Sequence, residues 1–238
     1  GIQTDFIPIT GQTRINVSIV RSGGPQHLKV NAPGPTIRQS EQERLLEKVR
    51  ERARPGDWWA LAGSLAPGIG ETFYAELIGV IQSASAHAIL DTSGDALRCG
   101  CGAGPFLIRP NRDEAQTLSG LKMASPDDYP PAVRAIRAMG GQNLVISLGA
   151  EGALASDGGH IWEASAPRIE EANPVGAGDA LTAGIIWGLA QGWPWPEALA
   201  WGVASGSAAA SLPGTGVGTR EQVEAFRSRV YVEDLPMK

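Results

Sequence analysis

The chain has 238 residues, 19% of them charged, a net charge of −5 and two cysteines. That length suits one α/β domain or a domain with a small appendage, and the acidic balance offers no basic field to hold nucleic acid or an anionic membrane. Cys99 and Cys101 are too close for an easy mutual disulfide and lack zinc or Cys-x-x-Cys spacing, so they read as free thiols of a reducing compartment. The opening Gly1-Ile2-Gln3-Thr4-Asp5 has neither the basic nor the apolar region of a signal peptide, and a cytoplasmic location is expected.

From Gln12 to Val20, Ile15, Val17 and Ile19 alternate with Arg14, Asn16 and Ser18, which predicts a half-buried strand. A turn at Ser22-Gly23-Gly24-Pro25 and a second extended run, His27 to Val30, complete a hairpin. Ser40 and Glu43 have capping-box spacing ahead of a helix carrying Leu45, Leu46 and Val49. Apolar runs at Trp58–Ala62, Ala88–Leu90, Phe106–Ile108 and Leu144–Ile146 then recur between helix-length segments, as buried parallel strands of βαβ units do. Ala153–Ser156 and His160–Ala164 flank an Asp157-Gly158 turn and predict another hairpin. Between Ala180 and Thr219 only Glu197 is charged, and Trp193-Pro194-Trp195-Pro196 interrupts the stretch. Two buried helices joined by a turn are expected there, rather than a membrane hairpin. The first, with Leu181, Ile185 and Leu189 on one stripe and Ile186 and Trp187 off it, reads as apolar nearly all round. Arg220 to Arg229 reads as a surface helix.

In a parallel sheet the ligand sits at the carboxyl ends of the strands. The segments there are Gly63-Ser64-Leu65-Ala66-Pro67-Gly68, Asp91-Thr92-Ser93-Gly94, Arg109-Pro110-Asn111-Arg112-Asp113-Glu114 and Ser147-Leu148-Gly149-Ala150-Glu151-Gly152. Asn111 and Glu114, three apart at a helix start, suit either a helix cap or a hydrated Mg²⁺ beside nucleotide phosphates. Arg14 and Asn16 are either the solvated face of an edge strand or groups for a sugar phosphate. The turn Asn173-Pro174-Val175-Gly176-Ala177-Gly178-Asp179 precedes an apolar helix. It is either an ordinary helix start with an acid in the first turn or an anion hole with a base beside it, the arrangement that phosphoryl transfer to a hydroxyl needs. A dinucleotide site fits poorly, because Leu181 stands where a third glycine would be, and neither a P-loop nor a Gly-x-Ser-x-Gly elbow is present.

Taken together, Gly176-Ala177-Gly178-Asp179, Asn111-x-x-Glu114, Ser147-Leu148-Gly149-x-x-Gly152, Gly63-Ser64-Leu65-x-Pro67-x-Gly68 and Thr13-Arg14-Ile15-Asn16-Val17 resemble, in order and spacing, the ribokinase-like (PfkB) carbohydrate kinases. The similarity is to the branch that phosphorylates hexose phosphates, which includes 1-phosphofructokinase and tagatose-6-phosphate kinase. The resemblance implies a three-layer α/β/α fold with a mostly parallel central sheet and a small β lid. Residues 1–35 would be a remnant of the lid with its connections, and residues 36–238 the nucleotide-binding domain. It implies ATP-dependent phosphorylation of a ketohexose phosphate, with fructose 1-phosphate as the expected acceptor. Asp179 would be the base, and Gly176, Ala177 and Gly178 the anion hole. Arg109, Asn111, Ser147, Gly149, Gly152 and Ser207 would bind the nucleotide, Asn111 and Glu114 would organise Mg²⁺, and Arg14 and Ser64 would hold the sugar's phosphate. A homodimer through the lid is implied as well.

Two departures from the family pattern are visible. Arg109 stands where a lysine is usual, and the family's opening strand with its Gly-Gly-Lys-Gly-x-Asn motif has no counterpart. The second departure leads to the expectation of an exposed sheet edge and an incompletely held sugar. It motivates the alternative of a catalytically silent nucleotide-binding module.

Overall fold

The computed structural model describes residues 2–20 and 27–236. Strands β1 (Asn16–Val20) and β2 (His27–Asn31) pair antiparallel as a separate sheet, while the turn predicted at Ser22-Gly23-Gly24-Pro25 lies outside the described residues. The strand starts at Asn16 rather than Gln12, and it is not half-buried: Ile15, Val17 and Ile19 are 68%, 48% and 56% exposed. Val30, opposite Val17 in register, is exposed too, so this apolar row has no cover among the described residues. Residues 5–10 run along helix α1 (Gln39–Arg52), where Lys48 and Arg52 pair with Asp5 at 2.5 and 3.0 Å.

The predicted Ser40/Glu43 box does not form, because Arg38 is the N-cap and Ser40 already lies inside α1. Glu41 does the capping instead. Its carboxylate accepts from the backbone N–H of Arg38 at 2.8 Å and of Thr10 at 2.6 Å, and these bonds hold its pKa below the ordinary glutamate value. The same side chain thereby ties the incoming chain to the helix start.

The remaining strands are β3 (Trp58–Ala62), β4 (His87–Asp91), β5 (Leu107–Ile108), β6 (Asn143–Ser147), β7 (Gly152–Ser156), β8 (Ile161–Ser165) and β9 (Tyr231–Leu235). They form one sheet in chain order, parallel from β3 to β6 and antiparallel from β6 to β9. Between them lie α2 (Phe73–Ser83), α3 (Gly94–Gly102), α4 (Arg112–Ser119), α5 (Tyr129–Arg137), α6 (Ala177–Ala190), α7 (Trp195–Ala210) and α8 (Arg220–Arg227).

Strand alternation builds the layers. Leu90, Ile108, Ile146 and Leu154 face one core, which they share with Val49, Ile78, Leu97 and Ile136 of α1, α2, α3 and α5. Their neighbours Ile89, Leu107, Val145 and Ala155 face the other, shared with Leu181, Ile185, Leu199 and Val203 of α6 and α7. Each fully buried side chain of this size contributes roughly 1.5–3 kcal/mol. The result is helices on both faces of a central sheet, with every parallel strand ending at the same edge.

Helices α6 and α7 pack closely through small residues; a Cβ on Gly202 would lie 2.4 Å from Ile185. Helix α6 is not buried all round as its composition suggested. One side is buried, and Trp187 projects from the other, 37% exposed. It meets Trp193 and Trp201 at ring-centroid distances of 4.8 and 5.1 Å, so the off-stripe tryptophan has an aromatic cluster instead of the core. Among the described residues no helix is long and apolar enough to cross a membrane. The two cysteines are unpaired on α3, and burial pushes the Cys101 thiol up to about 11.

Candidate active site

The turn before α6 is built by its neighbours. Asn173 donates through its side-chain amide to the Gly214 carbonyl, accepts from the Val175 N–H at 3.1 Å, and its own N–H bonds to the Ala210 carbonyl at 3.1 Å. The loop is thereby fixed to the end of α7. Gly176 is the N-cap with φ +86, a left-handed conformation that a side chain would strain. Ala177, Gly178 and Asp179 follow in the first helical turn, where backbone N–H groups lack intrahelical partners and an anion is favoured. Asp179 is exposed, and among the described residues no hydrogen bond or ion pair occupies its carboxylate.

Ala177 and Gly178 form one wall of a cavity of about 750 Å³. Asn111, Ser147, Gly149, Gly152 and Ser207 line it as well, so residues predicted from four separate segments meet at one site. Apolar surface comes from Leu148, Pro174, Leu181 and Val203. A mostly apolar cleft of this size with a few polar groups suits a nucleotide. Gly149 and Gly152 serve different ends there. Space beside Gly149 is open, whereas a Cβ on Gly152 would lie 1.9 Å from the Ala164 carbonyl oxygen of β8. The Ser207 hydroxyl donates to the Val203 carbonyl at 2.9 Å, which leaves its oxygen as an acceptor facing the cleft.

Asn111 and Glu114 form the helix cap that their spacing allowed. Asn111 Oδ1 accepts from the Glu114 N–H at 2.9 Å, and Glu114 Oε2 accepts from the Asn111 N–H at 2.8 Å. Glu114 keeps its second oxygen but does not line the cavity. At the cleft's rim Arg112 and Glu151 pair at 2.6 Å, and this bond lowers the Glu151 pKa.

Arg109 lies behind the turn, not in the cavity. Its Nε donates to Asp91 Oδ2 at 2.8 Å, its Nη2 bonds to the same oxygen, and its Nη1 approaches Ser147 Oγ at 3.3 Å. The guanidinium packs against Gly178, where a Cβ would stand 3.1 Å from Nη2. Burial raises the Asp91 pKa, Arg109 opposes that, and the nearby charge of Asp179 adds to the rise. Asp91 and its neighbour Thr182, whose hydroxyl lies 3.2 Å from Oδ2, were given no role in the sequence reading. The available signal was an acid at the carboxyl end of a parallel strand. Its partner could be found only from the strand order.

Arg14 and Ser64 meet, although 50 residues separate them: Arg14 Nη2 donates to Ser64 Oγ at 3.0 Å. Ser64 follows Gly63, whose N–H bonds to the Asp91 carbonyl at 3.0 Å, so this pair sits at the same sheet edge as the Arg109 network.

Comparison with known proteins gives a consistent answer. The family model for pfkB family carbohydrate kinases matches residues 1–222. A 1-phosphofructokinase of Vibrio cholerae is 33% identical over 235 residues, covering 99% of this chain and 74% of that protein. A 1-phosphofructokinase of Bacillus subtilis is 31% identical over 234 residues, covering 98% and 75%. Among solved structures, phosphofructokinase-2 from Escherichia coli in complex with fructose-6-phosphate superposes with a TM-score of 0.80 at 26% identity, covering 90% of this chain and 69% of that one. The chain belongs to the pfkB family and is a carbohydrate kinase of ribokinase-like fold.

Proposed function

We propose that this kinase transfers the γ-phosphoryl group of ATP to a hydroxyl of a ketohexose phosphate, with fructose 1-phosphate as acceptor and fructose 1,6-bisphosphate as product. The observation that carries the sugar-phosphate reading is the Arg14–Ser64 pair, a cation and a hydroxyl converging at the strand edge. The cavity takes the nucleotide, with Ser147, Gly149, Gly152 and Ser207 beside it. Asp179 removes the proton of the attacking hydroxyl, and the N–H groups of the Gly176–Gly178 turn receive the charge that builds on the transferred phosphoryl. Residues 1–35 act as lid and residues 36–238 as nucleotide-binding domain.

The residues present fit Mg²⁺ held through its water shell, since one oxygen of Glu114 remains open while Asn111 Oδ1 and Glu114 Oε2 serve the cap. Such an ion would offset the charge of the nucleotide phosphates. The exposed row Ile15, Val17, Ile19 and Val30 supports a homodimer through the lid, in the cytoplasm that the free thiols suggest. Ile19→Asp should then yield a monomer in sedimentation velocity, and an unaltered dimer would place the contact elsewhere.

Coupled-assay ADP release against fructose 1-phosphate, fructose 6-phosphate and tagatose 6-phosphate tests the substrate, and the highest kcat/KM is expected for the first. Arg14→Ala should raise the KM for the sugar phosphate about tenfold or more with little change for ATP, as loss of a charge-assisted bond worth roughly 1.5–3 kcal/mol predicts. Equal effects on both substrates would remove Arg14 from the sugar site. ATP binding by calorimetry with no sugar-dependent ADP release would favour the silent nucleotide-binding module.

A further inference from the structure

We propose that Asp91 is a positioning residue for phosphoryl transfer, holding the Arg109 guanidinium in place beneath the anion turn of α6. The inference rests on the function proposed above. Two N–H groups of Arg109 converge on one Asp91 oxygen, and the side chains are only 12% and 13% exposed, so little water competes for either group. Nη1 reaches Ser147 and the guanidinium packs against Gly178, both of which line the nucleotide cavity. The ion pair is thus a dipole with its positive end at the backbone of the turn.

Asp91 is itself fixed from three sides. It ends β4, its carbonyl accepts from Gly63 beside Ser64, and Thr182 of α6 meets its carboxylate. Thr182 lies on α6 one turn after Gly178, so its hydroxyl links the acid to the helix that carries Asp179. A long arginine side chain without this anchor has many rotamers, and a charge that must be re-oriented during reaction is a weaker stabiliser than one already in place. Asp91 touches none of the reacting atoms in this scheme. It acts through Arg109.

The test uses Asp91→Asn, which keeps shape and removes charge, with thermal melting to check the fold. Expected is a fall in kcat of about 10–100-fold with both KM values within about threefold, because a transition-state interaction is lost while ground-state binding is kept. Affinity for ADP with aluminium fluoride, a mimic of the transferred phosphoryl, should fall about tenfold in the presence of fructose 1-phosphate while plain ADP binds as before. Arg109→Met should show the same selective loss, and the double variant should be no worse than Arg109→Met alone, the signature of two residues acting as one unit. Additive losses, equal loss of ADP and fluoroaluminate affinity, or normal fluoroaluminate binding by Arg109→Met would overturn the inference, the last whatever the fold of Asp91→Asn. Fluoroaluminate affinity is read without turnover. A chain that releases no ADP would therefore contradict the proposed function, whereas one that releases ADP with fluoroaluminate affinity independent of Asp91 would contradict this inference alone.

Discussion

Asp179→Asn is expected to lower kcat by about 10²–10⁴-fold, the range for removal of a general base. The amide has the size and shape of the carboxylate, and no hydrogen bond or ion pair among the described residues depends on Asp179, so the turn should be undisturbed. An acid in the first helical turn contributes only about 0.3–1 kcal/mol to the helix at an exposed site, so loss of fold cannot supply the rate effect. The KM for ATP should stay close to that of the parent chain, because the cavity walls are unaltered. Steady-state kinetics separates these quantities, and a variant that turns over at near-normal rate would remove Asp179 from the chemistry.

Gly152→Ala is expected to be the most damaging small substitution for stability. The added Cβ would lie 1.9 Å from the Ala164 oxygen and 2.8 Å from the Ala166 nitrogen, and both are backbone atoms of the paired strand and its continuation. Residue 152 also has φ +120, which an L side chain rarely adopts. Overpacking costs about 1–3 kcal/mol and a strained backbone conformation about 1–3 kcal/mol more. Their sum, about 2–6 kcal/mol, corresponds to a melting temperature lower by about 4–24 °C in a chain of this size. Gly149→Ala is the internal control. It bears only the backbone cost of φ +65, since nothing lies within 4 Å of its Cβ position. Equal melting temperatures for the two variants would contradict this account of the Gly149-x-x-Gly152 motif.

The contrast between these glycines shows what a linear reading can and cannot supply. The family resemblance implied that Gly149 and Gly152 lie against a nucleotide, and both line the cavity, but only the β7–β8 register shows that Gly152 is also required by a neighbouring strand. The parallel strands were legible because their apolar runs are short and separated by helix-length segments; β4, β5 and β6 are buried on both faces as expected, whereas β3, at the sheet edge, leaves Ala60 and Ala62 exposed. Strand β9 was not, for Tyr231–Leu235 is an edge strand carrying Glu233 and Asp234, with no apolar run to mark it. Strand β1 kept its alternation, yet burial did not follow, because alternation specifies a shared face and says nothing about what covers it. The cap of α1 went to Glu41 instead of the Ser40/Glu43 pair because Thr10, 31 residues earlier, supplies a second donor to that carboxylate. Asp91 ends β4 and Arg109, 18 residues on, directly follows the adjacent β5, and no local pattern announces an ion pair made by strand order.

The turn before α6 is proposed to perform phosphoryl transfer to a sugar phosphate. The most direct measurement is ADP release by the chain and by Asp179→Asn, each supplied with ATP and Mg²⁺, with and without fructose 1-phosphate. The predicted result is release that requires the sugar phosphate and falls by about 10²–10⁴-fold in the variant. Release that is independent of the sugar phosphate, or equal in the two proteins, would contradict it.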